Sequence, residues 1–282
     1  MKLVVTLLLI SLAASSAMAQ APTLRIVAED PNLPAELYYG NTKVKPLRLR
    51  PGTNTQITID DADFFVFQHY VDFLNRMPEP GGYAGWQAVL NGCVPVTASC
   101  DRIHVSAAFF QSPEFQERGY FAYRQYSVAF GRKPDFTEFM PDLRRVTGFL
   151  NATQLEAAKV ALINDFMAQP NFVSRYGALG NQAFVDLLVS TAGVTFANKQ
   201  QLVEALNSNT MTRGQVFRTI MESAEVYAKY YNQSFVVMQY FGYLRRDPDA
   251  LYVNWIQVLD QNGDPRHMIN GFMNSVEYRN RF

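Results

Sequence analysis

Cysteine, histidine and tryptophan are scarce in this chain of 282 residues, which contains two, three and two of them. None of the three histidines, His69, His104 and His267, stands in a His-Glu-x-x-His or other metal-binding spacing. The chain also lacks a Gly-x-Ser-x-Gly nucleophile motif and a glycine-rich phosphate loop. No local motif names a reaction, so we expect no cofactor, no metal and no catalytic residue that the sequence alone could identify.

An excess of either charge is missing as well. The chain carries 25 Lys and Arg against 25 Asp and Glu, and removal of an N-terminal segment that contains Lys2 leaves 24 against 25, a net charge of −1. Proteins that bind through nucleic-acid phosphates or acidic lipids need clustered positive charge. The sequence therefore argues against nucleic acid as a partner.

Long apolar runs are absent beyond the N-terminus. Lys2 precedes an apolar stretch, residues 3–12, and Ala17-Met-Ala19 resembles a signal-peptidase site. The stretch is shorter than the roughly 20 residues of a membrane-spanning helix. We predict a signal peptide, residues 1–19, cleaved after Ala19, with an uncleaved N-terminal anchor as the alternative. The mature protein is then secreted, periplasmic or attached to the cell surface, without a transmembrane segment.

The two cysteines, Cys93 and Cys100, are seven residues apart and remain after cleavage. In an oxidising compartment, two cysteines in one loop favour a disulfide. A catalytic or metal-binding pair is the weaker alternative.

Residues 20–60 differ from the rest of the chain. β-branched residues alternate in Thr23–Ala28, Thr42–Lys45 and Gln56–Ile59, between turns that contain proline and glycine. This pattern predicts an extended or short-strand N-terminal arm. Asp60, Asp61 and Asp63 then suit the start of a helix. Calcium sites here and at residues 260–264 are less favoured, because the remaining oxygen ligands are lacking.

From residue 61 the pattern is helical, and one helical motif recurs. An aromatic residue and a second apolar residue four positions later lead into an Arg-x-Pro-acid corner. Proline ends a helix before it, and the acid suits the start of the next one. The corner residues are Arg76, Pro78, Glu79, Arg132, Pro134, Asp135, Arg246, Pro248 and Asp249. We interpret their charges as corner ion pairs, and a repeated sugar or anion site as the alternative.

The spacing of this motif indicates a repeat. Tyr70, Tyr126, Phe184 and Tyr240 open units at intervals of 56, 58 and 56 residues. Four degenerate helical units of about 55 residues follow, approximately 61–118, 119–176, 177–230 and 231–282. The third unit has lost the Arg and Pro of the corner. The residues predicted to form the repeated core are Tyr70, Leu74, Trp86, Leu90, Tyr126, Phe130, Phe184, Leu188, Tyr240, Leu244, Trp255 and Leu259.

The chain resembles the bacterial family called domain of unknown function 4214 in three motifs. These are the Arg-x-Pro-acid corner, a tryptophan four residues before a leucine, and a closing Ser-x-Glu-aromatic motif. The resemblance covers residues 61–282 and is strongest in residues 64–115 and 235–282. It implies an exported or cell-surface helical module without established activity. Its motif brings no catalytic residues to this chain.

The sequence thus predicts an all-α repeat protein that binds or scaffolds, outside the cytoplasm, a protein or a surface glycan. A surplus of tyrosines could line a glycan platform: Tyr120, Tyr123, Tyr230, Tyr231 and Tyr243. The alternative function is a secreted hydrolase with an active site between repeats that leaves no local motif. A deep cleft with a titratable pair within hydrogen-bond reach would favour the hydrolase.

Overall fold

The structure is a computed structural model that describes residues 24–27, 36–40, 42–43 and 57–282. The predicted signal peptide, residues 1–19, lies outside the described residues, as does most of residues 20–60. Strands β1 (Leu24–Val27), β2 (Glu36–Tyr39) and β3 (Thr42–Lys43) form an antiparallel sheet in the order β1-β2-β3. Leu24 pairs with Tyr39 and Tyr38 pairs with Lys43.

Helices make up the regular structure of residues 57–282, so this part of the chain is all-α as the sequence predicts. They are α1 (Ala62–Leu74), α2 (Pro80–Asn91), α3 (Arg102–Gln111), α4 (Pro113–Glu117), α5 (Gly119–Phe130), α6 (Phe136–Val146), α7 (Ala152–Met167), α8 (Pro170–Tyr176), α9 (Asn181–Ala192), α10 (Lys199–Asn207), α11 (Arg213–Met221), α12 (Ala224–Gln239), α13 (Tyr252–Asn262), α14 (Arg266–Asn274) and α15 (Val276–Arg279). A π-helix, Tyr240–Leu244, continues directly from α12. Among the described residues, none of the helices combines the length and the apolar character that crossing a bilayer requires.

Serine caps set the start of α4, α12 and α15. Ser112, Ser223 and Ser275 each accept a hydrogen bond from the backbone N–H three residues further on, at 3.1, 3.3 and 3.1 Å. The hydroxyl satisfies an N–H group that the first helical turn leaves unpaired. Pro113 occupies the first turn of α4, a position where its missing N–H group costs no hydrogen bond.

The first helix ends earlier than the sequence predicts. The following proline indicates a boundary at Met77, but α1 ends at Leu74 because Asn75 adopts a left-handed conformation with φ 50°. Asparagine tolerates this conformation better than most residues. Arg245 ends the π-helix in the same way with φ 53°, which is strained for a long side chain. Its side chain is held by a buried ion pair with Asp72, at 2.8 Å.

One continuous hydrophobic core runs through the helical part of the chain. Helix α5 lies at its centre, and every residue of α5 except Phe130 is buried. It packs against α4, α6, α9, α11 and α12. Burying one large apolar side chain contributes about 1.5–3 kcal/mol, so packing on all sides rather than helix propensity holds α5.

The beginning and the end of the helical part also contact each other. Helix α1 packs against the π-helix and α3 packs against α14. The rings of Phe64 and Phe282 meet edge-on at 5.1 Å, and Phe73 lies directly over Gly242. The sequence did not predict this contact between residues so far apart in the chain. A linear stack leaves an apolar face open at each end, whereas this contact covers both faces.

Candidate functional site

The opening tyrosines of the first, second and fourth predicted units have similar surroundings. Each meets a phenylalanine ring edge-on, with centroid distances of 4.9 Å for Tyr70–Phe109, 5.1 Å for Tyr126–Phe166 and 4.8 Å for Tyr240–Phe272. Each ring also lies under the guanidinium of the following corner, at 4.8 Å for Arg76, 5.5 Å for Arg132 and 5.5 Å for Arg246. The corner arginines therefore cover the core tyrosines and are part of the packing.

The other predicted core residues are all in or against the core. Leu74, Phe184, Leu188, Leu244 and Leu259 are buried. Half-buried side chains that pack against the core are Trp86, Leu90, Phe130 and Trp255. Helix α2, which carries both Trp86 and Leu90, has no fully buried residue and is the most loosely covered of the predicted core segments.

The corner ion pairs differ from unit to unit. Arg76 pairs with Glu79, and Arg246 approaches Asp249 at 4.0 Å. Arg132 instead makes two 2.7 Å hydrogen bonds to Glu138, which lies one helical turn into α6. The pair expected between Arg132 and Asp135 is therefore replaced. The corner prolines Pro78, Pro134 and Pro248 lie in the non-helical links between helices.

A second carboxylate, which the sequence interpretation missed, completes two corners. Arg76 and Arg246 each donate two hydrogen bonds to the glutamate of the closing motif in the same unit, Glu114 and Glu277. The predicted second unit has Asn171 in place of that glutamate, and the predicted third unit keeps an exposed Glu225 without a corner arginine. The sequence did contain a signal for this pairing: the predicted first and fourth units have both the arginine and the glutamate, whereas the other two have only one of them.

The proposed tyrosine platform is wrong. Tyr120, Tyr123 and Tyr243 have no measurable exposure, and Tyr230 is buried beside Ala192, whose carbonyl accepts its hydroxyl at 2.9 Å. Only Tyr231 of the five is half-buried. Four of the five rings are buried in the core, so the five residues do not form a surface on which a sugar could stack.

A Ser–Tyr–His chain of hydrogen bonds lies inside the molecule. The Tyr243 hydroxyl is 2.5 Å from Ser106 Oγ and 3.2 Å from His69 Nε2. His69 Nδ1 is 2.9 Å from the Phe65 carbonyl oxygen. Burial lowers the pKa of His69 to about 4. The histidine is therefore neutral near pH 7, and its buried position gives it a structural role.

Asp72 forms the centre of a second buried network. It accepts hydrogen bonds from Arg245 and Arg281 at 2.8 Å each and from Gln68 at 2.9 Å. Burial works to raise the pKa of Asp72, but the two guanidinium groups outweigh that effect and hold it below its usual value. Arg281 ties the end of the chain to α1, so this network stabilises the closed arrangement of the helices.

The disulfide loop is the most exposed apolar feature among the described residues. Cys93 and Cys100 form the predicted disulfide, with Cα atoms 5.4 Å apart. Between them, Val94 is 86 % exposed and Val96 is 75 % exposed. The far end of the loop is fixed by Arg266, which donates to the Ala98 carbonyl and to Asp101. The loop thus presents two valines to solvent from a fixed base.

A shallow groove of about 740 Å³ runs along α7. Its described lining consists of Ala152, Thr153, Glu156, Ala157, Val160, Ala161 and Asn164. Glu156 is the one titratable residue in this lining, and it is paired with Arg218. The part of the chain that the structure describes also contains no group of three or more His, Cys, Asp or Glu residues able to hold a metal ion.

Comparison of the chain with protein-family models, with curated proteins and with solved structures gave no match.

Proposed function

We propose that this chain is an exported, non-enzymatic binding module that contacts a protein partner through the loop closed by Cys93 and Cys100. The observation that carries this proposal is the exposure of Val94 and Val96 within one covalently closed loop. Exposed apolar residues on a fixed support are typical of protein contact sites, because little conformational entropy is lost on binding. The neutral charge of the chain continues to argue against nucleic acid.

Export is part of the proposal, with the periplasm, the cell surface or the medium as destination. The signal-like residues 1–19 and the disulfide both support it, since disulfides persist mainly in oxidising compartments. The helical part is further proposed to be a four-unit repeat related to domain of unknown function 4214. The matched surroundings of Tyr70, Tyr126 and Tyr240 support a common origin for the first, second and fourth units.

The binding function is favoured over the hydrolase because of where the titratable groups lie. His69, Ser106 and Asp72 are buried with their partners inside the core, where no substrate reaches them. The open groove on α7 holds one carboxylate, already paired with an arginine. A protein partner is favoured over a glycan because the tyrosines proposed for sugar stacking fill the core.

Site-specific photo-crosslinking tests the proposal. The full chain would carry a photoreactive amino acid at position 94, or at position 173 as a control, since Val173 is 50 % exposed on helix α8. In envelope extract we expect one discrete protein adduct from position 94 and none from position 173. The adduct from position 94 should disappear when Val96 is replaced by aspartate. Equal labelling from both positions, or a glycan adduct alone, would contradict the proposal.

A further inference from the structure

Two buried cations, one on α5 and one on α7, lack the carboxylate partner that a buried charge ordinarily has. Arg124 is 5 % exposed and Lys159 is 9 % exposed. Neither forms a hydrogen bond or an ion pair with any residue that the structure describes, and Nε of Arg124 is enclosed without an acceptor. We call these two residues the cation pair. Burying an unpaired charge is costly, and such groups concentrate at binding sites.

Aromatic rings surround the cation pair in place of carboxylates. The guanidinium carbon of Arg124 is 4.5 Å from the ring centroid of Tyr120 and 5.3 Å from that of Tyr227. Nζ of Lys159 is 4.9 Å from the ring centroid of Phe121. A ring face attracts a cation, but it offers no oxygen lone pair to the N–H groups. The rings therefore leave Nε of Arg124 without an acceptor, and they do not supply one for Nζ of Lys159.

Nearby carboxylates attract the cation pair but do not form ion pairs with it. Arg218, which lies 5.7 Å from the Phe121 ring, already holds Glu156 and Glu222 in ion pairs. Glu222 attracts both members of the pair, and Glu117 attracts Lys159, only from a distance. Burial lowers the pKa of Arg124 and of Lys159, as expected where desolvation exceeds this attraction.

We propose that the cation pair binds a carboxylate group of an acidic ligand. A guanidinium presents parallel N–H donors that match the two oxygens of a carboxylate, and an ammonium attracts a carboxylate as a point charge. Tyr227 is 37 % exposed and contacts Arg124, so it marks the side from which the group enters. The carboxylate comes either from a free small acid or from an acidic side chain of a peptide.

Thermal unfolding in sodium acetate, compared with sodium chloride at equal ionic strength, tests this site. We expect acetate to raise the unfolding temperature of the wild-type protein, because a ligand that binds only the folded state stabilises it. K159M and R124M should lose this response, while K199M, which removes a lysine from an ion pair at the surface, should keep it. K159M should also be more stable than wild type in chloride, since an apolar side chain replaces an unpaired buried charge.

Two further measurements complete the test. A glutamate-rich peptide that binds at least about tenfold tighter than acetate, while its glutamine counterpart does not bind, would identify a peptide as the source. In the wild-type protein, amide NMR signals of residues 120–124 and 156–160 should shift with acetate and not with chloride, whether or not the variants fold. Equal acetate responses in wild type and the two methionine variants, or no such NMR shifts, would overturn the proposal.

Discussion

Arg76 and Glu114, which are 38 residues apart, form a bidentate ion pair with Nε–Oε1 and Nη2–Oε2 distances of 2.7 and 2.6 Å. The pair connects the corner after α1 to the first turn of α4. Arg246 and Glu277 repeat it across 31 residues, at 2.6 and 2.9 Å. In both cases the arginine side chain joins the two ends of a predicted unit around the opening tyrosine. We call each of these arginine–glutamate pairs a clamp.

Replacing Arg76 by methionine should lower the free energy of unfolding by about 2–3 kcal/mol, because Glu114 and Glu79 are left without their guanidinium in a partly buried site. Arg76 has a side chain that is 10 % exposed, whereas that of Arg246 is 32 % exposed. The matched variant R246M should therefore lose only about 1 kcal/mol. Urea unfolding measures both changes. A larger loss for R246M than for R76M would contradict the clamp.

The caps and the disulfide were predictable from local sequence, since Ser112-Pro113 and the cysteine pair Cys93 and Cys100 act over a few residues. The clamp was not predictable from local sequence, because Arg76 and Glu114 are brought together only by the packing of α3 and α4 against α1. The tyrosines of α5 were misjudged for a related reason. A half-polar side chain such as Tyr120 suits either a surface or a core, and only the helices packed around α5 decide between them.

Gly242 gives a test of the contact between the two ends of the helical part. A Cβ at this position would lie 2.8 Å from ring atoms of Phe73, closer than side chains pack. The substitution G242A should therefore destabilise the protein by about 1–3 kcal/mol through overpacking. Gly271 in α14 has open space around its Cβ direction, so G271A serves as a control and should be neutral or stabilising. Thermal unfolding of both variants checks the prediction, and equal effects would refute it.

His69 predicts a specific pH dependence. Its pKa is about 4 in the folded protein and 6.5 in the unfolded chain, so between these values the unfolded state binds the extra proton. Stability due to neutral His69 is therefore present above pH 6.5 and falls as the pH drops toward 4, by about 3 kcal/mol in total. In H69Q this contribution is absent.

The free energy of unfolding of wild type and H69Q, measured from pH 7 to pH 4, isolates the histidine from the carboxylates common to both proteins. The two curves should converge as the pH falls. Parallel curves across this range would show that protonation of His69 does not lower the free energy of unfolding. His69 would then not be enclosed as the structure describes.

The disulfide should contribute modestly to global stability. The loop between Cys93 and Cys100 is short, so the chain-entropy estimate for its closure is only about 2–2.5 kcal/mol. We expect the double variant C93S/C100S to remain folded by circular dichroism and to lose about this amount in urea unfolding. Loss of the whole fold would assign the loop a role in the core rather than in presenting Val94 and Val96.

Hydrogen–deuterium exchange over residues 93–100 tests the binding function most directly. The full chain would be measured alone and with the protein identified by crosslinking from position 94. Slower exchange confined to this loop and its base at Arg266 is the expected result, because binding encloses the two exposed valines. Unchanged exchange in the loop, with protection appearing elsewhere on the molecule, would contradict a function carried by residues 93–100.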